Sequence, residues 1–398
     1  MFCQPGKHSS FSAHLFRAGL RSLVKLASVC ILGVFAALGA VTQRSLLPVV
    51  YVNDNTSANQ IDAFYVNPNG TLQAVPGSPF LTGGNGGFTF DIDSIAIRPG
   101  ESPFSGPSPF LYATNDGSAN VSGFKINSDG SLTPVPGSPF ADTGSFPVGV
   151  AVSADGRFLF VGLYDYAIDV FRINANGSLT LVPGSPFGIG NSDGYDVLFD
   201  HRRNNVISDI NNTNQVGVLH LNSGTGMLTP IPGSPFTTST SNNQKMGLRP
   251  QGDLLFVAGG GYDAVDVLKV APDGSLSEVS QVPISDFVVG TTVHPYGGYV
   301  YFGAVSSANI YGYVVGAGGT LTPVSGSPFA SGGEGPTGLT TDNLGLFLFA
   351  VNTFSDSVTS FGIQRNGALV LKGTVSLKGS GGYPSGIAFY GPPCPFCP

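Results

Sequence analysis

An eleven-residue segment recurs along the chain with little change, and no other feature constrains the possible folds as tightly. Gly70 to Phe80 reads GTLQAVPGSPF, Gly130 to Phe140 GSLTPVPGSPF, Gly177 to Phe187 GSLTLVPGSPF, Gly226 to Phe236 GMLTPIPGSPF and Gly319 to Phe329 GTLTPVSGSPF. Two weaker copies, Gly274 to Ile284 (GSLSEVSQVPI) and Gly367 to Leu377 (GALVLKGTVSL), bring the set to seven. The leading glycines lie 60, 47, 49, 48, 45 and 48 residues apart, the long first interval holding an inserted Pro-rich loop from Pro99 to Pro109.

Each period carries the same order of elements. In one of them a small-residue strand at Gly149 to Val152 is followed by an Asp155-Gly156 turn and a strand at Phe158 to Gly162. A polar loop then leads to strands at Ile168 to Ile173 and Ser178 to Val182, joined by an Asn176-Gly177 turn. Asp-Gly and Asn-Gly between apolar runs are strong hairpin signals, because primed turns need positive φ. Four short antiparallel strands per repeat make a propeller blade. The predicted fold is therefore all-β, a seven-bladed β-propeller. Tyr51 to Asn53 reads as the second strand of a blade and Ser385 to Tyr390 as a first, so the C-terminal strand should complete the N-terminal blade and remove two free edges. The repeated Pro-Gly-Ser-Pro-Phe is read as scaffold, with Pro and Gly setting the bend and Phe packing between blades.

Composition agrees. The 57 Gly and 30 Pro punctuate a chain that turns often, and only 10% of residues are charged, which argues against long surface helices. Disorder is excluded by a 41% hydrophobic content. Five of the 17 basic residues (Lys7, Arg17, Arg21, Lys25, Arg44) precede Ser45, leaving 12 basic against 24 acidic beyond it. Nucleic acid and anionic membranes are poor partners for such a body.

Arg17, Arg21 and Lys25 lead into an apolar run from Leu26 to Val41, the pattern of a signal peptide or an N-terminal anchor. The expected division is a leader at 1–45, the propeller at 46–393 and a Cys-Pro-rich tail at 394–398, with membrane contact only through the leader. The protein is expected outside the cytoplasm: secreted, periplasmic or at the cell surface. Cys3 and Cys30 fall in the leader, while Cys394 and Cys397 fall in the tail, where a local disulfide or an intermolecular bridge is expected.

The segments Tyr51-Val52-Asn53-Asp54, Tyr112-Ala113-Thr114-Asn115 and Phe349-Ala350-Val351-Asn352 resemble YVTN-type repeats, as does Ser153 to Val161. With seven blades, the chain resembles the lactonase-like propeller family, which includes 6-phosphogluconolactonase and carboxymuconate cycloisomerase. The resemblance implies chemistry near the central channel, using His, Arg and Glu at the starts of inner strands. The chain departs from that pattern. It has Phe146-Pro147-Val148-Gly149 where the family has Pro-His, Asp193-Gly194-Tyr195-Asp196 where it has Gly-Pro-Arg-His, and Asn211 where Glu is expected.

Polar loops between second and third strands, and those between blades, should share one face of the disc, where binding usually lies. Asp193, Asp196 and Asn211 are the catalytic candidates. Asp91, Asp93, Lys245, Asp286 and Glu334 are the ligand-binding candidates, each near the start of an inner strand. No cofactor is expected; clustered carboxylates could at most hold a Ca2+ in the channel. His201, His220 and His294 are too few for a histidine-rich metal centre. The residues alone favour a binding or interaction scaffold, taking a small-molecule or carbohydrate-type ligand or a protein partner at the loop face. The resemblance implies instead a lactone hydrolase of the 6-phosphogluconolactonase type with a non-standard active site.

Overall fold

The structure, a computed structural model, describes residues 48–391 apart from 88–93, 99–108, 145, 166, 191–193, 211–212, 262–263 and 379–381. The leader, nearly all of the Pro-rich insertion and the Cys394/Cys397 tail lie outside the described residues.

Every leading glycine of the repeat sits at positive φ, from 79° at Gly130 to 89° at Gly70, and turns the chain between the third and fourth strands of a blade. Seven antiparallel sheets result, each following chain order from first to fourth strand except where the ring closes. Blade 3 shows the pattern, with strands Pro147–Val152, Phe158–Leu163, Ala167–Ile173 and Leu179–Leu181. The first strands of successive blades touch around a closed circle, so they are innermost and line the channel. In blade 1 that place is taken by Gly386–Tyr390, which pairs with Val49–Asn53 in the register Tyr51 to Ala388. The last strand of the chain thus completes the first blade and covers its edge.

The Pro-Gly-Ser-Pro-Phe segment acts as a clasp. Its serine hydroxyl accepts the N–H of a third-strand residue in all five intact copies, namely Ala63, Gly123, Val170, Val218 and Gly312. Each Ser-Pro bond is cis, and the following Phe opens a two-residue strand that pairs with the same third strand, as Phe140–Ala141 does with Asn120 and Val121. The five Phe rings then pack into the apolar clusters between blades. Where the motif has decayed, the clasp is absent and the fourth strand runs on unbroken as Leu276–Pro283 or Leu369–Ser376, each with one β-bulge.

Neighbouring blades are riveted by tyrosines. Tyr51, Tyr112 and Tyr301 each donate a buried hydrogen bond to the carbonyl of the next blade's turn glycine, Gly130, Gly177 and Gly367, at 2.7–2.8 Å. The site is positioned by a second regularity. In blades 3 to 7 the innermost strand slips register against its neighbour at its first residues. Such bulges re-aim side chains at a strand end, here the end on the loop face.

Candidate functional site at the channel mouth

Between blades 6 and 7 the loop face holds a depression of about 560 Å3, lined by Phe287, Val305, Ser306, Ala308, Glu334, Gly335 and Phe354. Phe287 leads into the innermost strand Val288–Val293, and Val305 and Ser306 leave the second strand Tyr299–Ala304. Glu334 and Gly335 precede the innermost strand of blade 7, Pro336–Thr341. Gly335 has φ +68°, and a Cβ there would stand 2.6 Å from the Phe354 ring, so only glycine lets this ring lie against the loop.

Asp286 fixes one wall. Its Oδ1 accepts the N–H groups of Phe287 and Ser306, at 2.7 and 2.9 Å, and its Oδ2 accepts that of Ser307 at 3.0 Å. Burial pushes the Asp286 carboxyl up, but the serine donors outweigh it and hold the group below the usual carboxylate range. The opposite wall is fixed through the backbone. Glu334 N–H donates to Ser355 Oγ at 2.9 Å and Glu334 O accepts from Phe354 N at 3.0 Å, while the Glu334 side chain stays exposed. Glu334 and Ser306, both exposed, thus line one hollow together with the aromatic residues Phe287 and Phe354.

The hollow opens onto the channel. Val148, Tyr195, Val289 and Val305 form one apolar cluster with Phe287 packed against it, and they come from blades 3, 4 and 6. The cluster therefore crosses the channel mouth and shares Phe287 and Val305 with the depression.

Beside Tyr195 lies a buried cluster of ionisable side chains. Lys245 Nζ stands 3.5 Å from Asp196 Oδ1, and Met246 N–H donates to Asp196 Oδ2 at 2.7 Å. Asp209 Oδ1 accepts the N–H groups of Tyr195 and Asp196 at 3.2 and 2.6 Å. Burial, then the like charge of Asp209, pushes Asp196 up; burial alone pushes Lys245 down. Asp209 is pushed by burial up to about 8, against the pull of the backbone N–H groups of Asp196, Tyr195 and Asp209 itself. The group ties the bulged starts of blades 4 and 5 together and is closed to solvent, with Asp196 0% and Lys245 2% exposed.

Of the residues singled out by sequence, Asp91, Asp93, Asp193 and Asn211 lie outside the described residues. Asp196 and Lys245 meet each other, but neither lines the hollow. Asp286 and Glu334 meet at the hollow, the first behind its wall and the second in it. Sequence reading misses Phe287, Ser306 and Phe354. The first is legible only as the residue after Asp286, and the others become neighbours only when blades 6 and 7 close together. His294 is held at the opposite face by Gly345 O at 3.2 Å. Among the described residues, no group of three or more His, Cys, Asp or Glu side chains could hold a metal ion. A second depression of about 510 Å3 lies between blades 4 and 5 and includes Arg202, Arg203 and His220. Arg203 there is committed to Asp200 and to the carbonyls of Gly252, Val270 and Ala271.

Residues 103–382 match the family described as lactonase, seven-bladed beta-propeller. No curated protein matches the chain. Among solved structures, a periplasmic gluconolactonase of Pseudomonas aeruginosa superposes with a TM-score of 0.71 at 16% identity, over 87% of this chain and 100% of its own. A Bacteroides fragilis protein with a provisional assignment as a 6-phosphogluconolactonase gives 0.69 at 16% identity, over 88% and 99%. A protein from Lactobacillus plantarum gives 0.69 at 16%, over 86% and 99%.

Proposed function

The chain belongs to the seven-bladed β-propeller lactonase family, and from that premise we propose that it hydrolyses sugar-type lactones at the channel mouth. The observation that carries this reading is the hollow between blades 6 and 7, whose lining residues include the exposed Glu334 and Ser306. A lactone needs little: water attacks the carbonyl carbon, the carbonyl oxygen takes up negative charge, and the bond to the ring oxygen breaks. The products are a carboxylic acid and a free hydroxyl, with no redox change and no cofactor. Glu334 takes the proton of the attacking water and returns it to the departing ring oxygen. The Ser306 hydroxyl donates to the developing oxyanion, held in place by the grip of Asp286 on the 306–307 backbone.

The interaction-scaffold reading is favoured by one observation, that among the described residues Glu334 is the single titratable group lining the hollow. Both readings are separated by a panel of lactones, including glucono-1,5-lactone and 6-phosphogluconolactone, assayed by acid release at constant pH. Turnover above the spontaneous rate is expected for at least one. Folded protein that binds lactones without turning any over would overturn the hydrolase reading and leave a binding surface. The same reading places the protein outside the cytoplasm, supported by the apolar run behind Arg17, Arg21 and Lys25. Recovery of all of it in the cytosolic fraction would contradict that placement.

A further inference from the structure

In each blade the first residue of the second strand lies against the turn glycine of the next blade. Phe110, Phe158, Tyr299 and Phe347 fill this seam with a ring, so close that a Cβ on Gly177, Gly226, Gly367 or Gly70 would collide with it. Val49 and Leu254 hold the same place before Gly130 and Gly319. Blade 4 alone puts a polar residue there, Asn205 before Gly274. An amide stands where four other seams hold an aromatic ring, and the seam between blades 4 and 5 is the one that opens into the depression of about 510 Å3.

The cations of the filled seams are present here without their ring. In blade 3, Arg157 and Arg172 stand over the Phe158 ring at 5.7 and 4.9 Å. His220 holds the place of Arg172, each lying directly opposite the first residue of its second strand. The imidazole Nδ1 meets Asn205 Oδ1 at 3.0 Å, while the ring stays exposed. Arg202, also exposed, donates from Nε to Pro250 O at 3.2 Å and makes no ion pair among the described residues. The acid of the lining, Asp273, accepts Ser275 N–H and Oγ–H on its Oδ1, at 3.0 and 2.7 Å. Apolar surface comes from both sides of the seam: Pro230 and Pro232 from blade 4, Pro272 from blade 5, all exposed.

A guanidinium and apolar proline walls, around a position that other seams fill with a phenyl ring, specify a flat apolar ligand with a negative charge. We propose that this depression binds a small aromatic carboxylate. Its ring lies among the prolines, in the place that Phe158 and Phe347 take in their own seams, and its carboxylate meets the Arg202 fork. The site is on the face of the disc opposite the lactone hollow and does not depend on the hydrolase reading.

Titration calorimetry of the full chain with benzoate, cyclohexanecarboxylate and benzyl alcohol tests the proposal. Benzoate should bind with a Kd of about 1 mM or below. Cyclohexanecarboxylate keeps the charge without the flat ring and benzyl alcohol keeps the ring without the charge, so each should bind about fivefold or more weakly. Asn205→Phe restores the residue found in blades 2, 3 and 7. It should abolish benzoate binding with no fall in melting temperature. Arg202→Ala, at an exposed position, should lower benzoate to the level of benzyl alcohol, and it decides the matter by itself where Asn205→Phe does not fold. The absence of benzoate binding by the folded parent overturns the proposal. So does binding undiminished in Arg202→Ala or in folded Asn205→Phe, and so does equal affinity for benzoate and cyclohexanecarboxylate, which would mean that the protein reads charge and not a ring.

Discussion

Asp209 shows how a buried carboxyl leaves a signature on stability. Its folded-state pKa of about 8 lies above the value of about 4 for an unfolded chain. Between those values the folded protein binds the extra proton, so this group makes stability fall as pH rises from about 4 to about 8, by up to about 1.4 kcal/mol per pH unit. Asp196 is pushed in the same direction by burial and by Asp209. Asp209→Asn keeps an oxygen to accept the N–H groups of Tyr195 and Asp196 and cannot ionise. Urea titrations at pH 5, 6, 7 and 8 should show a shallower decline in the variant than in the parent. Identical slopes would mean that Asp209 does not carry the proton.

At the scale of the element, the blade seam rests on glycines that fill two requirements at once. Gly177 has φ +83°, and a Cβ there would stand 2.5 Å from the Phe110 ring of the preceding blade, whereas Gly318 has φ +68° with nothing within 4 Å. Gly318→Ala should therefore cost only the conformational penalty of about 1–2 kcal/mol. Gly177→Ala should cost a further 1–3 kcal/mol, roughly the penalty of overpacking a core. Chemical denaturation of the two variants measures the difference, and equal losses would show that the seam yields to an added methyl. These turns are legible in sequence because Asp-Gly and Asn-Gly state their φ locally. The two-residue strand after each Ser-Pro is not, since Phe140 and Ala141 are too short a run to carry a period. Nor is the site. Asp286 and Glu334 can be picked out as charges near strand starts, but nothing in their local sequence says that one clamps a loop and the other faces a hollow. Lys245 looks like a channel charge until the bulges of blades 4 and 5 turn it onto Asp196.

For the whole molecule, closure is the feature on which the rest depends. The ring ends by pairing Gly386–Tyr390 with Val49–Asn53, and Lys378 N–H reaches Asp62 Oδ2 at 2.7 Å across the same joint. Deleting residues 385–398 removes that strand and bares the edge of Val49–Asn53. The loss should exceed the roughly 4–5 kcal/mol that marks an exceptional point substitution. An unchanged melting temperature would mean that the ring does not depend on its last strand. The closed ring also brings blades 6 and 7 together so that Glu334, Ser306 and Phe354 share one hollow, the site proposed for lactone hydrolysis. Its most direct test is the rate of acid release from the preferred lactone by the parent and by Glu334→Gln, with circular dichroism establishing that both are folded. A fall in kcat of about 100-fold or more, the size expected for loss of a general base, is the predicted result. Turnover by the parent that is undiminished in Glu334→Gln would contradict the assignment and place the chemistry elsewhere on the propeller.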